Sequence, residues 1–257
     1  MKNSLAIKPK NLIKPGTTWQ LGNHRLVYGD CQDQQLVKKL IGDEKINLIC
    51  CDIPYGVAVV ESKRNFKTLA KDKIIMNDHI QSDSEYRAFN CKWLKTISPY
   101  LAKQNSCYVF NSDKMVWPLR DGLIDAGFKV SQLLIWVKSQ AVLGRLDYAP
   151  QHELILYGWY GKHRFRHSKD KSVLFYPRPT KSQLHPTTKP IGLIRRLILN
   201  SSEINDVVYD GFLGSGTTLL ACEQTKRCCL AVELDLEYCL TAIKRWESFT
   251  HNKAKLL

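Results

Sequence analysis

Residues 47–55, "NLICCDIPY", run apolar until they stop on a carboxylate, a stiff proline and a phenol. Such a run reads as a buried strand. A turn accounts for Pro54 but not for the Asp52 and Tyr55 beside it. A second stretch, "DGFLGSGTT" from Asp210 to Thr218, follows a β-branched and aromatic strand and opens a helix. Glycines there let the backbone turn tightly and approach a ligand, while the helix start offers unpaired N–H donors and positive potential. The next strand carries "AVELD" and places Glu233 about 20 residues on, where an acidic side chain can hold ribose hydroxyls. The order of strand, glycine loop, helix, strand and acid indicates an adenosyl ligand. No Walker lysine follows the glycines, which disfavours nucleotide hydrolysis, and the full Gly-x-Gly-x-x-Gly spacing is missing. S-adenosyl-L-methionine suits the loop better, because its carboxylate can meet the donors at the helix start.

The elements that must position these residues follow from periodicity. "WQLGNHRLVYGD" (Trp19 to Asp30) reads as a hairpin turning at Gly22-Asn23 and delivering Gly29-Asp30 at a strand end. "LVKKLIG" suits a short helix, followed by a strand from Ile46 to Cys51. Residues 57–84 show no sustained period, and a mobile loop is expected there. Helical spacing links Tyr86, Phe89, Trp93, Leu94, Ile97 and Leu101, ahead of the strand "CYVFN". A further helix spans Val116 to Ala126, ending at Gly127. "FKVSQLLIWVK" and "HELILYGWY" are strand-like and suited to pair. "HPTTKPIGLIRRLILNSS" is a turn entering a helix, with Pro190 at the first helical position. Strands alternating with helices predict an α/β fold, a mostly parallel sheet with helices on both faces. One domain is expected over 1–257, with a small insertion at about 160–182.

The chain has 257 residues, 44% of them hydrophobic, enough for a large core and against wholesale disorder. No apolar run approaches the roughly 20 residues that cross a bilayer, and the basic start lacks the apolar centre of a signal peptide. A soluble, cytoplasmic protein with no membrane partner is expected. The formal net charge of +14 suits polyanion contacts. Aromatics lie among basic residues from Gly158 to Lys181, so DNA contact is expected there, at Lys162, Arg164 and Arg166. The nine cysteines include no Cys-x-x-Cys pair. The adjacent pairs Cys50-Cys51 and Cys228-Cys229 should point to opposite sheet faces and make poor metal clamps. Small buried hydrophobes in a reducing compartment, with no metal, is the reading that follows.

Three stretches together resemble one family. "DIPYG" resembles the Asp-Pro-Pro-Tyr motif of DNA amino-methyltransferases, and "DGFLGSGTTLLACEQTKRCCLAVELD" resembles their Asp-Pro-Phe-x-Gly-Ser-Gly motif. "HPTTKP" resembles the segment that precedes it. The catalytic motif comes before the cofactor motif, the circularly permuted order of the β group, and the likeness runs from about Leu21 to Trp246. The resemblance implies a Rossmann-like methyltransferase fold, S-adenosylmethionine as cofactor and double-stranded DNA as substrate. A restriction endonuclease is the cognate partner that such enzymes can have; the sequence fixes neither it nor the oligomeric state.

By that resemblance Asp52, Ile53, Pro54 and Tyr55 form the catalytic turn. An exocyclic amino group is a poor nucleophile, and hydrogen bonds to the Asp52 carboxylate and the Ile53 carbonyl favour the tetrahedral nitrogen formed in methyl transfer. Tyr55 is placed to stack on an extruded base. Asp30 is expected near the cofactor's adenine. Asp210, Gly214 and Gly216 are expected at its methionine end, with Phe212, Ser215 and Thr217 in the same loop and Glu233 on the ribose. Thr187 and Lys189 are expected in the wall on the carboxylate side. Ile53 and Gly211 each stand where the family usually has proline. Asp at the first motif position points to adenine N6. Cytosine N4, whose enzymes more often carry Ser there, is the alternative, and an inactive DNA-binding protein on the same fold is another. Cytosine-C5 chemistry needs a nucleophilic thiolate, commonly in a Pro-Cys dipeptide, and none occurs here.

Overall fold

A computed structural model of the chain describes residues 13–56, 81–141, 147–166, 170–177 and 189–257. Five parallel strands form the centre of its sheet, in the spatial order β2 (His24–Tyr28), β10 (Cys228–Glu233), β9 (Val207–Asp210), β3 (Ile46–Asp52) and β4 (Leu101–Asn111). Beyond β2, the antiparallel β1 (Thr18–Leu21) and then β11 (Lys255–Leu256) complete one flank. Beyond β4, β6 (His152–Tyr160) runs antiparallel, β5 (Phe128–Val137) reverses again, and β8 (Val173–Phe175) lies parallel to β5. A two-residue strand, β7 (Lys162–His163), pairs with the start of β4 at Gln104 and Asn105.

Burial on both faces explains the apolar run that ends in Asp52. In β3 Leu48 and Cys50 enter one core with residues of α4 (Ile191–Ser201), α5 (Thr217–Thr225) and α6 (Leu236–Thr250). Ile49, Cys51 and Ile53 enter the other, with residues of α1 (Gln34–Ile41), α2 (Asp83–Ile97) and α3 (Val116–Asp125). Successive side chains of a strand point to opposite faces, so Cys50 and Cys51 part company, as do Cys229 and its neighbour Cys228. All nine cysteines are free, and among the described residues no group of His, Cys, Asp or Glu could hold a metal ion. No described helix is long and apolar enough to cross a membrane.

The hairpin, the short first helix and the β5–β6 pairing stand where the sequence places them. Three boundaries move. The helix expected to reach Leu101 ends at Ile97, because Pro99 in the following 3-10 turn disfavours helix at the residue before it. Pro190 caps α4 in an extended conformation, one residue before its first helical position. Of the expected loop, 57–80 lies outside the described residues. A capping box between Ser82 and Glu85 opens α2 at Asp83, so the loop stops short of 84. The expected insertion at 160–182 supplies β7 and β8 to the sheet, strands of two and three residues; such lengths show no alternation to read.

The two helices α2 and α3 approach closely at Gly122, where an added Cβ would stand 2.8 Å from the Arg87 carbonyl oxygen and 2.9 Å from Asn90 Cβ. In an open helix, Gly→Ala gains about 1 kcal/mol of propensity. Here contact with the α2 backbone outweighs it, and Gly122→Ala should lose about 1–3 kcal/mol. Urea unfolding of the variant beside the parent measures the sign.

Candidate active site at the carboxyl edge of the sheet

The carboxyl edge of an open parallel sheet is where the strands leave space for ligands, and β3 delivers Asp52 there. The turn after it is clamped from two sides. The Tyr86 hydroxyl of α2 donates to the Pro54 carbonyl at 2.8 Å and accepts from the Asn111 side chain of β4 at 2.7 Å. Gly56 follows with φ of 65°, and a Cβ there would press on the Tyr86 ring at 3.0 Å. Ile53 is 2% exposed, its side chain packed in the core beneath the turn.

Around Asp52 the structure gathers a cluster of charges. Lys189 Nζ donates to Asp52 Oδ2 at 2.6 Å and to the Tyr55 hydroxyl at 3.2 Å, and lies 3.1 Å from Glu153 Oε2. Tyr55 Oη reaches Asp52 Oδ1 at 3.1 Å and Glu153 Oε2 at 2.8 Å. Lys138 Nζ closes the set on Glu153 Oε1 at 2.8 Å. The Lys189 ammonium also faces the rings of Tyr55, Phe110 and Trp136 at 5.5, 5.4 and 6.0 Å, a cation–π cage. Burial pulls the Lys189 ammonium towards neutrality, but Asp52 and Glu153 outweigh it and hold the proton on. Burial pushes the Asp52 carboxyl up, Lys189 pulls it down, and the Glu153 charge pushes it up again, leaving it above its ordinary value. Glu153 is driven up by burial and down further by Lys189 and Lys138, to about 2.

The glycine loop lies on the next strand. Gly214, with φ of 53°, donates its N–H to Glu233 Oε2 at 2.6 Å, and Phe212 N–H donates to Asp210 Oδ1 at 3.0 Å. The Phe212 ring meets Trp93 edge-on at 5.4 Å between centroids. Arg245 Nη1 ties down Ser215 at its carbonyl and hydroxyl. Gly216 caps α5 with φ of 88°, and a Cβ there would stand 2.9 Å from Ala242 Cβ, so the close approach of α6 requires glycine. Thr217 begins α5 and is buried. Asp30 accepts from Gln32 N–H at 2.9 Å and follows β2, whose Tyr28 pairs with Glu233. Burial pushes Asp210 and Glu233 each up to about 7. Next to Asp210, the Tyr209 hydroxyl is buried beside Gly211 and has no hydrogen-bond partner among the described residues. The carboxyl groups of Asp30, Asp210 and Glu233, at the ends of adjacent strands, fit a ligand that brings cationic charge and hydroxyl groups.

Most of the expected residues therefore converge at the carboxyl edge. Lys189 sits on Asp52 and Tyr55 at the end of β3. Thr187 lies outside the described residues. Lys162, Arg164 and Arg166 are not brought to the site. β6 runs antiparallel, so its far end, and the basic segment after it, fall at the amino edge of the sheet. Lys162 pairs beside Gln104 while Asp52 pairs beside Phe110, a span of about 20 Å along β4. Arg164 is bound there by Glu203 and Asp206 at 3.0 and 3.1 Å, and Arg166 by Glu203. Glu153 and Lys138 were not foreseen. Their only sequence signal is a charged residue at the edge of each of two apolar strands that pair.

A profile of a DNA methylase family matches residues 46–244. The chain belongs to the N6/N4 DNA methylase family. Among curated relatives, the Type II methyltransferase M.HpaI of Haemophilus parainfluenzae is 25% identical over 246 residues, covering 85% of this chain and 73% of its own. The Type II methyltransferase M2.MboI of Moraxella bovis is 23% identical, with 93% of each chain covered. Among solved structures, the M1.HpyAVI–SAM complex superposes with a TM-score of 0.63 at 26% identity, covering 86% of this chain and 98% of that one. The cytosine-N4-specific PvuII DNA methyltransferase gives 0.69 at 17% identity over 89% of this chain and 87% of its own, a likeness of fold.

Within this methylase the buried side chain of Ile53 answers why proline is absent. Truncation to Ala should lose about 2–5 kcal/mol and Ile53→Val only about 0.5–1.5. Ile53→Pro, whose ring bends back to its own nitrogen, should also lose stability instead of gaining the roughly 0.4–1 kcal/mol that a stiffer turn gives at a permissive site. Chemical denaturation of the three variants ranks them.

Proposed function

We propose that this methylase transfers the methyl group of S-adenosyl-L-methionine to the N6 amino group of an adenine extruded from double-stranded DNA. The observation that carries the reading is the Asp52 carboxylate at the end of β3, held by donors in an aromatic cage one strand away from the glycine loop at Asp210. The cofactor supplies an electrophilic methyl group on a sulfonium. Asp52 accepts an N–H of the base's amino group and the Ile53 carbonyl accepts the other, which localises the nitrogen lone pair. The N–C bond forms as the C–S bond breaks, the electron pair stays on sulfur, and the surplus N–H proton goes to Asp52. Tyr55 covers the base face and offsets an extrusion penalty of a few kcal/mol. Holding both reactants in line supplies much of the rate.

Asp210, Phe212, Gly214, Ser215, Gly216 and Thr217 form the methionine side of the cofactor cradle, with Glu233 on the ribose and Asp30 towards the adenine. DNA meets the carboxyl edge, where Tyr148, Phe175 and Trp117 are exposed by 90%, 74% and 66% and Lys114 is also exposed. The Type II relatives favour a role in restriction-modification, with an endonuclease of the same specificity as partner.

Two measurements test this. Asp52→Ala should retain cofactor affinity and lose methylation by orders of magnitude, and nucleoside digestion with mass spectrometry of parent-treated DNA should yield N6-methyladenine. N4-methylcytosine as the product would transfer the same mechanism to cytosine and end the adenine assignment. Cofactor affinity should also depend on pH. A cationic ligand favours ionised Asp210 and Glu233, which sit near 7 in the free protein. Binding therefore expels protons below that value, and affinity should fall by up to about tenfold per pH unit per group as pH drops from 7, levelling above it. Calorimetry across pH 6–8 in buffers of different ionisation enthalpy detects the released protons.

A further inference from the structure

Both oxygens of Asp52 are occupied: Oδ2 accepts from Lys189 at 2.6 Å and Oδ1 from the Tyr55 hydroxyl at 3.1 Å. An incoming amino group needs one of them. Each of the two donors already has a second acceptor within reach, and for both it is the same atom, Glu153 Oε2, at 2.8 Å from Tyr55 Oη and 3.1 Å from Lys189 Nζ. Glu153 is itself fixed from behind by Lys138 at 2.8 Å. Tyr55 has one hydroxyl proton to give, so donating it to Glu153 means withholding it from Asp52.

We propose that Glu153 is a positioning residue for methyl transfer: it receives the Tyr55 hydroxyl and shares the Lys189 ammonium, so that Asp52 Oδ1 is open to the amino group of the base. It touches neither base nor cofactor and works through Tyr55 and Lys189. The inference rests on the methyl-transfer reading above. It gives Lys138 a place as well, as the cation that keeps Glu153 ionised and aimed. Without Glu153 the phenol turns to Asp52 as its remaining acceptor and competes with the substrate for it.

The charges facing Asp52 come from Lys189 ahead of α4, Glu153 on β6, Tyr55 in its own turn and Asp210 on β9, with Lys138 at the end of β5 behind Glu153. Since Glu153 holds the Asp52 carboxyl up, removing its charge should move the acid limb of the rate profile to lower pH. A loss of packing alone would lower the rate at every pH and leave the limb in place.

Single-turnover methylation, cofactor calorimetry and thermal unfolding are to be measured for Glu153→Gln, Glu153→Asp and Tyr55→Phe, and for Glu153→Gln combined with Tyr55→Phe. Glu153→Gln should keep cofactor affinity and slow the methyl-transfer step by roughly 100-fold, the scale of an ångström-level misplacement, with its acid limb shifted downward. Glu153→Asp keeps the charge but withdraws the oxygen; it should keep the limb and still lose rate, and it carries the test if the Gln variant does not fold. In the Tyr55→Phe background the competing hydroxyl is gone, so Glu153→Gln should have a smaller effect than in the parent. An active parent whose Glu153→Gln variant keeps both rate and acid limb, or effects that multiply independently in the double variant, would overturn the inference alone. A parent without methylating activity on duplex DNA would overturn the reading beneath it and the inference together.

Discussion

Two ammonium groups drawn out of water against two half-buried carboxylates constrain this molecule at one edge of its sheet. Asp52 and Glu153 share Lys189, and Lys138 balances Glu153. Desolvating such charges is unfavourable, and their mutual attraction repays it only where geometry is close and every partner is present. Deleting any one leaves an uncompensated charge beside Trp136 and Phe110. The cluster therefore demands that β3, β4, β6 and β5 lie side by side in that order, and that Lys189, just ahead of α4, reach the end of β3. Stability and the proposed chemistry coincide here, since the ions that need one another are the ones that hold Asp52 at the end of β3.

The reversal at β6 produces that arrangement. A parallel strand would have entered the sheet at its amino edge and carried Glu153 away from Asp52. Running antiparallel, β6 begins at the carboxyl edge, directly after the hairpin from β5, and brings Lys138 and Glu153 together at its mouth. The same reversal sends "GKHRFR" to the amino edge, about 20 Å from Asp52 by strand rise, where Glu203 and Asp206 bind its arginines. Strand direction thus decides at once which glutamate meets Lys189 and which basic segment lies at the opposite edge.

This also marks the limit of what the sequence exposes. Glycines in "DGFLGSGTT" and the abrupt end of "NLICCDIPY" are local signals, because a positive φ at Gly214 or a carboxylate at a strand end is written in consecutive residues. Alternating faces at Cys50 and Cys51 are equally local. The partners of Asp52 are not: Lys138, Glu153 and Lys189 are separated from it by 86 to 137 positions and meet it only through sheet order, which pattern does not encode. Short strands such as β7 and β8 fail for the converse reason, having too few residues to carry a period. A basic, aromatic stretch is readable as charge but not as position, and topology sets Lys162, Arg164 and Arg166 at the amino edge of the sheet.

The two missing prolines have different physical grounds. At Ile53 the side chain fills the core under the turn after β3, and that turn is already fixed by Pro54, by the Tyr86 hydroxyl and by Asn111 behind it. A second proline would add stiffness to a backbone that is held from both sides and would empty part of the core. At Gly211 the limit is space: an added Cβ would stand 3.1 Å from the Tyr209 hydroxyl and 3.2 Å from Cys31 Cβ. Cys51 Sγ also accepts the Gly211 N–H at 3.4 Å, a donor that proline lacks. Both departures leave a carboxylate at the end of a strand, Asp52 and Asp210, while the rigidity that proline would supply comes from neighbouring side chains.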